Sequence, residues 1–293
     1  MRFSDLAIFF KKLEETSSRN TMTEILADLF RRAAPEEIGK ICYLLLGRAA
    51  PLFEPIEFGV ADKFIIRALA RAYGVGEDHV RKEFKKLGDL GIAAESCYHV
   101  LKHSNKGALS VVDVFDRLDA LARMGGAGSQ EKKIGILADV LQSIDALSAR
   151  YLVRIPLVKL RLGFSDMTML DALSWMLAGD KSLRGRLEDA YNVRPDIGYL
   201  AETVKAHGFE GLKGVKATVG APILPALCQR LPTADEMIKK MGKVAVEGKY
   251  DGTRVQIHWQ KMPNAKCQMP NMKTFSRNLE NTTLMFPELQ GIG

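Results

Sequence analysis

The sequence is poor in cysteine: Cys42, Cys97, Cys228 and Cys267 are the 4 in 293 residues. No two of them stand in Cys-x-x-Cys spacing, which excludes a thiol metal knuckle or a dithiol redox motif. A chain with free thiols and no disulfide framework is expected in a reducing, cytoplasmic compartment. The 5 histidines form no zinc pattern either. His99 and His103 have helical i, i+4 spacing but no third ligand nearby in sequence, so an ordinary structural role is the favoured reading. No window holds the ~18 uninterrupted apolar residues that a membrane span needs, and no membrane partner is expected. The N-terminal run MRFSDLAIFFKKLEETSS lacks the basic, apolar, small-residue order of a secretion signal. Apolar residues at 47% and charged residues at 26% are ordinary for a globular protein and exclude a disordered or collagen-like chain.

What the sequence has is positive charge, +7 overall, with a pI near 9.1. Such a balance favours polyanionic partners. The excess is spread, +3 over residues 1–220 and +4 over 221–293, so a basic tail does not account for it.

Two patterns divide the chain. Up to about residue 215 the apolar positions recur at helical spacing. In 21–33, Ile25, Leu26, Leu29 and Phe30 share a face behind a Thr21/Glu24 capping box. Residues 36–47 repeat the pattern with Ile38, Ile41, Cys42 and Leu45. Further helices are predicted at about 60–73, 77–87, 111–123, 130–142, 145–157, 168–178, 181–191 and 196–206, with Gly-rich breaks at 74–76, 125–129 and Gly163. No fixed-period repeat is present, which excludes a solenoid of identical units. Met167, Met169, Trp175 and Met176 read as core rather than as a base-stacking surface. Ser129 with Gln130, Glu131, Lys132 and Lys133 reads as a helix start. Its free N–H groups could meet phosphate, although a solvated lysine face is the simpler alternative.

After about 215 the pattern changes. GVKATVGAPILPALCQRLP is rich in Gly and Pro and predicts a linker or extended segment. Thr233 and Glu236 cap a short helix closed by Gly242. The period then becomes two. Val244 and Val246 alternate before Asp251-Gly252, and Val255, Ile257 and Trp259 alternate after it, which predicts a hairpin. A loop over 260–271 leads to a short strand at 272–277. Two or three strands do not cover both faces of a sheet, so a second domain that is incomplete at Gly293 is expected.

The densest chemistry lies in Glu247-Gly248-Lys249-Tyr250-Asp251-Gly252-Thr253-Arg254. A lysine amine is a nucleophile only when neutral. A neighbouring cation and partial burial would lower its ordinary pKa of about 10.4. Arg254 is a permanent cation able to grip phosphate or ribose oxygens with its planar fork. Gly252 permits positive φ and a close approach of backbone to ligand. Phe275-Ser276-Arg277-Asn278 supplies another arginine at a strand end. The three letters Lys-x-Asp-Gly alone fit an ordinary hairpin with an exposed lysine. The fuller Glu-x-Lys-x-Asp-Gly-x-Arg arises by chance in such a chain on the order of once in ten thousand.

Residues 247–254 resemble motif I of the covalent nucleotidyltransferases, which comprise ATP-dependent DNA ligases, RNA ligases and mRNA capping enzymes. The run VEGKYDGTRVQIH (246–258) is similar to the replicative DNA ligases of archaea and eukaryotes, and residues 275–278 resemble the next motif of that family. RYLVRIPLVKLRLGFSDMTMLDALS (150–174) is similar to the DNA-binding domain of the same ligases. So are GAGSQEKKIGILADVL (126–141) and LEDAYNVRPDIGYLAE (187–202). Capping enzymes lack that domain.

The resemblance implies a multi-domain protein: an all-α N-terminal DNA-binding domain over 1–215, then over 216–293 the beginning of an α+β nucleotidyltransferase domain with an ATP-grasp-like antiparallel sheet. It implies an ATP-dependent DNA ligase that seals nicks in duplex DNA through a lysyl-AMP intermediate. ATP and Mg2+ are the implied cofactors and nicked double-stranded DNA the partner. A sliding clamp is a candidate partner, and a nucleoid-associated monomer is expected.

Position by position, Lys249 matches the adenylated nucleophile, Glu247 the reader of the adenine amine, and Arg254 and Arg277 the nucleotide-binding arginines. Lys159, Arg161 and Gly163 match the minor-groove contact region. No metal ligand is matched, because the family's acidic motifs lie beyond residue 293. The chain alone is therefore expected not to seal nicks. Val158 departs from the family's usual glycine, and a branched side chain there would hold the backbone off the DNA. A non-catalytic DNA-binding fragment is the competing reading, and an RNA ligase or capping-type enzyme the enzymatic runner-up.

Overall fold

The computed structural model describes residues 1–99, 109–226, 229–260 and 272–291. His103, Cys228, Cys267 and the expected loop beyond Gln260 lie outside the described residues. Helix follows helix up to His207: α1 (Phe3–Glu14), α2 (Arg19–Arg32), α3 (Pro35–Leu45), α4 (Asp62–Tyr73), α5 (Glu77–Leu87), α6 (Leu90–Tyr98), α7 (Val111–Ala122), α8 (Ser129–Leu141), α9 (Ala146–Arg154), α10 (Asp166–Ala178), α11 (Arg184–Val193) and α12 (Ile197–His207).

The apolar stripes explain the packing. In α2, Met22, Leu26, Leu29 and Phe30 are buried at i, i+4, i+7 and i+8, and that face lies on α10. α3 packs on α12, α4 on α8, and α6 on α9. Phe10 of α1 stacks on Tyr151 of α9 with ring centroids 5.2 Å apart. Both rings are fully buried and together would bring several kcal/mol of apolar burial. Met169 is also in this core. The cap of α2 is Ser18, whose hydroxyl accepts the Thr21 N–H, so the helix begins before the Thr21/Glu24 box. The α6 sequence LGIAAESCY has small buried residues on several sides, which lets it lie close to α9. A Cβ at Gly91 would fall 2.5 Å from the Arg150 carbonyl oxygen.

One ion network ties three of these helices. Arg154, only 5% exposed, donates through Nε to Asp89 (3.0 Å) and through Nη1 to Glu14 (2.9 Å). The same Asp89 oxygen caps α6 by accepting the Ile92 N–H at 2.9 Å. Glu14 also accepts from Tyr151 Oη at 2.7 Å and Arg150 Nη2 at 3.0 Å. Burial raises the pKa of Glu14. The hydrogen bonds from Tyr151 and Arg154 and the two guanidinium charges outweigh it and hold the carboxyl below its ordinary 4.5. Asp89 behaves likewise, with burial opposed by the Ile92 amide and Arg154, and lies below 3.8.

Beyond a 3-10 turn (Phe209–Gly214) the described residues form no helix or strand before α13 (Ala234–Met241), where Thr233 Oγ1 accepts the Glu236 N–H at 3.2 Å and Gly242 closes the helix at φ 70°. The described sheet is one antiparallel pair. β1 (Val255–Trp259) runs against β2 (Met272–Ser276), in register from Val255↔Ser276 to Trp259↔Met272. The hairpin expected around Asp251-Gly252 does not form: residues 243–254 hold no strand and are mostly exposed. A lone strand forms no ladder, and alternating apolar side chains with nothing to cover them, such as Val246 at 90% exposure, gain nothing from extension. The small sheet has its own core of Phe275, Leu279 and Ala221, joined by Phe53 from the α3–α4 loop.

Removing the guanidinium would leave Asp89 without its ion-pair partner and Glu14 with Arg150 and Tyr151 alone, so Arg154→Met should cost about 3 kcal/mol in denaturant unfolding. The pH dependence has a definite sign. Glu14 and Asp89 have lowered folded-state pKa values, so their contribution is present above the unfolded values and is lost as pH falls through the folded ones. Acid unfolding curves should therefore be flatter for Arg154→Met than for the parent chain.

Candidate nucleotide and nucleic-acid site

The segment after α9 follows from backbone geometry. The Val158 N–H bonds the Ile155 carbonyl at 3.0 Å and the Lys159 N–H bonds the Arg154 carbonyl at 2.9 Å. Together with Val158 at φ 53°, these are the 5→2 and 6→1 bonds of a Schellman closure, with valine at the left-handed position. Glycine is the residue that position favours, because a β-branched side chain is strained there. Val158 is 69% exposed, so it gains little from burial in return. The departure from the family's glycine therefore has a backbone meaning, apart from any contact with DNA.

From there the chain alternates. Leu160 and Leu162 point into the core, while Lys159, Arg161 and Gly163 lie at the surface. Arg161 also has positive φ, 51°, and Gly163 has 77°. Three left-handed residues within six positions mark a loop whose shape is imposed by its surroundings. Arg161 has no ion-pair or hydrogen-bond partner among the described residues. Lys159 does have one: its Nζ lies 2.8 Å from Asp62 of α4, a residue the sequence pattern did not single out.

At the start of α8, Gly128 is the cap and offers no side-chain acceptor. Lys132 is exposed beside it. Lys133 turns inward: it is 7% exposed and donates to the Phe58 carbonyl at 2.7 Å, fixing the α3–α4 loop. The solvated face favoured from the sequence does not hold for Lys133, and its ammonium has a structural partner in place of a phosphate. A buried ammonium must find an acceptor, and this carbonyl supplies it.

The motif residues lie on the second half of the chain. Glu247, Lys249 and Arg254 are all exposed within the strand-free run, beside Tyr250 at 92% exposure. Lys249 has no hydrogen bond or ion pair among the described residues. Arg277 follows β2 and lines a different surface, a cleft of about 650 Å³ shared with Asn278, Leu224 and, on α11, Glu188 and Asn192. The structure thus groups Glu247, Lys249 and Arg254 by chain proximity and places Arg277 against the helical half. The amine of Lys249 and the guanidinium of Arg254 are donors of the kind that phosphate oxygens accept, and Arg277 lies apart from them. A magnesium site is another matter. No group of three or more His, Cys, Asp or Glu residues among the described residues could hold a metal ion.

β1 itself is anchored by side chains that had read only as the polar face of a strand. The Gln256 carboxamide pairs with the Ile223 backbone, accepting its N–H at 3.0 Å and donating to its carbonyl at 2.6 Å. His258 Nδ1 accepts the Gly220 N–H at 3.1 Å, and its ring meets Phe275 edge-on at 4.9 Å. Burial lowers the imidazole pKa below 6.5, and the Lys273 ammonium adds to this against the opposing Thr218 backbone hydrogen bond.

Two family profiles match the chain, DNA ligase N terminus over residues 2–174 and ATP dependent DNA ligase domain over residues 225–291. The chain belongs to the ATP-dependent DNA ligase family. A probable DNA ligase of Dictyoglomus turgidum is 45% identical over 291 residues, covering 99% of this chain and 48% of that protein. DNA ligase 2 of Korarchaeum cryptofilum is 40% identical over 296 residues, and DNA ligase 1 of Methanosarcina acetivorans 37% over 290, with the same coverage. The chain therefore spans about half the length of the curated relatives it matches. No helix among the described residues is long and apolar enough to cross a membrane.

Relief of the left-handed valine should outweigh the added freedom of the unfolded chain, so Val158→Gly should raise stability by about 1 kcal/mol, read from the denaturant midpoint. A second measurement concerns His258. Its folded pKa lies below the unfolded one, so its contribution is present above the unfolded value and is lost as pH falls. A protonated Nδ1 cannot accept, so protection of the Gly220 amide against exchange should hold through the ordinary imidazole range and fall as pH drops below it, through the lowered folded value, after correction for intrinsic rates.

Proposed function

We propose that this protein joins nicks in duplex DNA using ATP, with residues 1–215 gripping the duplex and 216–293 beginning the unit that carries the nucleotide. Membership of the ligase family, together with the complete motif from Glu247 to Arg254, is the observation that carries this reading. Lys249 is the nucleophile. Its neutral Nζ attacks the α-phosphorus of ATP, a phosphorus–nitrogen bond forms, and pyrophosphate leaves. The AMP then passes to the 5′-phosphate at the nick and departs when the 3′-hydroxyl attacks. Glu247 reads the adenine amine, and Arg254 and Arg277 hold ribose or phosphate oxygens. A divalent ion would neutralise phosphate charge. No carboxylate cluster for it occurs among the described residues, and no step is assigned to it.

Lys159, Arg161 and Gly163 face the minor groove. Their outward placement beside the inward Leu160 and Leu162 supports that role. For the 293-residue chain by itself, a non-catalytic grip on the duplex is the favoured activity, because Glu247, Lys249 and Arg254 are exposed.

Two measurements test the reading. The 293-residue chain should bind nicked duplex with an affinity that falls steeply with salt, and Arg161→Ala should weaken it about tenfold. Binding indifferent to salt would count against the grip. A chain of the relatives' length containing these residues, incubated with α-labelled ATP, should retain covalent label, and Lys249→Ala should abolish it. Label that survives the substitution would assign the nucleophile elsewhere.

A further inference from the structure

The α3–α4 loop touches both halves of the molecule. At one end, Gly47 lies against Val158, whose Cα is 3.5 Å from where a Cβ on Gly47 would sit. Six residues on, Phe53 is 7% exposed and buried with Phe275, Leu279 and Ala221 rather than with the main helical core. A cleft of about 810 Å³ runs between these ends, with Val158 on one wall and Glu280 and Asn281 on the other. Phe275 stands two residues before Arg277, and Leu279 two after it. One short loop therefore backs the duplex-facing turn and plugs the small core from which Arg277 projects.

We propose that Phe53 is a positioning residue. It pins the β1–β2 unit to the loop behind Val158, so that a duplex held at 158–163 meets Arg277 in a fixed register. This inference rests on the duplex reading given under Proposed function. Phe53 belongs to the small cluster alone, so its removal should release the strand unit and leave the helical core folded.

Amide exchange on the whole chain tests the proposal. The reporters are the Leu279 N–H, bonded to the Ser276 carbonyl at 3.0 Å, and the Thr282 N–H, bonded to the Thr274 carbonyl at 2.8 Å. Without DNA, Phe53→Ser should speed both by about tenfold or more and leave the Leu200 amide of α12 unchanged, and Phe53→Leu should restore most of the protection. With nicked duplex, both reporters should slow further in the parent chain. In Phe53→Ser the duplex should still bind, yet the slowing should stop at the helical half. Unchanged reporters in Phe53→Ser, or equal slowing by duplex whatever occupies position 53, would overturn the pin. Failure of the parent chain to bind duplex would overturn the duplex reading and the presentation to Arg277 together. Bound duplex with no slowing at the reporters would overturn this inference alone.

Discussion

Arg154 serves the fold twice. Its guanidinium is the buried cation that Glu14 of α1 and Asp89 at the cap of α6 share, and its carbonyl accepts the Lys159 amide that closes the turn after α9. Burying such a charge is costly unless its donors are satisfied, and here carboxylates from two helices satisfy it. The position of those helices is thereby linked to the point where α9 must stop. Everything downstream, including the alternation that sends Leu160 and Leu162 inward and Arg161 outward, is measured from that stop.

Among the described residues, the two halves meet through small features. Phe53 crosses from the helical side into the small core around Phe275, and the Leu224 N–H bonds the Asn192 carbonyl of α11 at 2.8 Å. Contacts of this kind are directional and few. They set an orientation through a small number of groups.

The helical half was largely legible in the sequence because the period of its apolar residues is long and regular. The helices at 60–73 and 77–87 lie within two residues of expectation. α6 left no such trace, since a helix buried on several sides with small residues has no polar face to contrast with. The motif around Lys249 stood out by residue type and spacing, and its hairpin was not borne out, because a strand depends on a partner that local alternation cannot supply. Lys133 shows the same limit from the other side: a lysine in a basic run reads as solvated, and only the fold reveals the Phe58 carbonyl waiting for it. The roles of Phe53 and Asp62 arise from contacts between distant segments, and nothing in their neighbours announces them.

If residues 159–163 meet DNA as proposed, the ion pair between Lys159 and Asp62 has a consequence for how affinity responds to electrolyte. A surface cation ordinarily gives up no protein partner when it meets a phosphate, and the small ions freed into solution drive association. On the proposed grip, Lys159 would instead exchange a tethered carboxylate for the phosphate, and Asp62 would then recruit a cation from the medium. One basic residue can thus touch the backbone while adding little to the salt slope, so the number of phosphates counted from that slope should fall short of the number contacted.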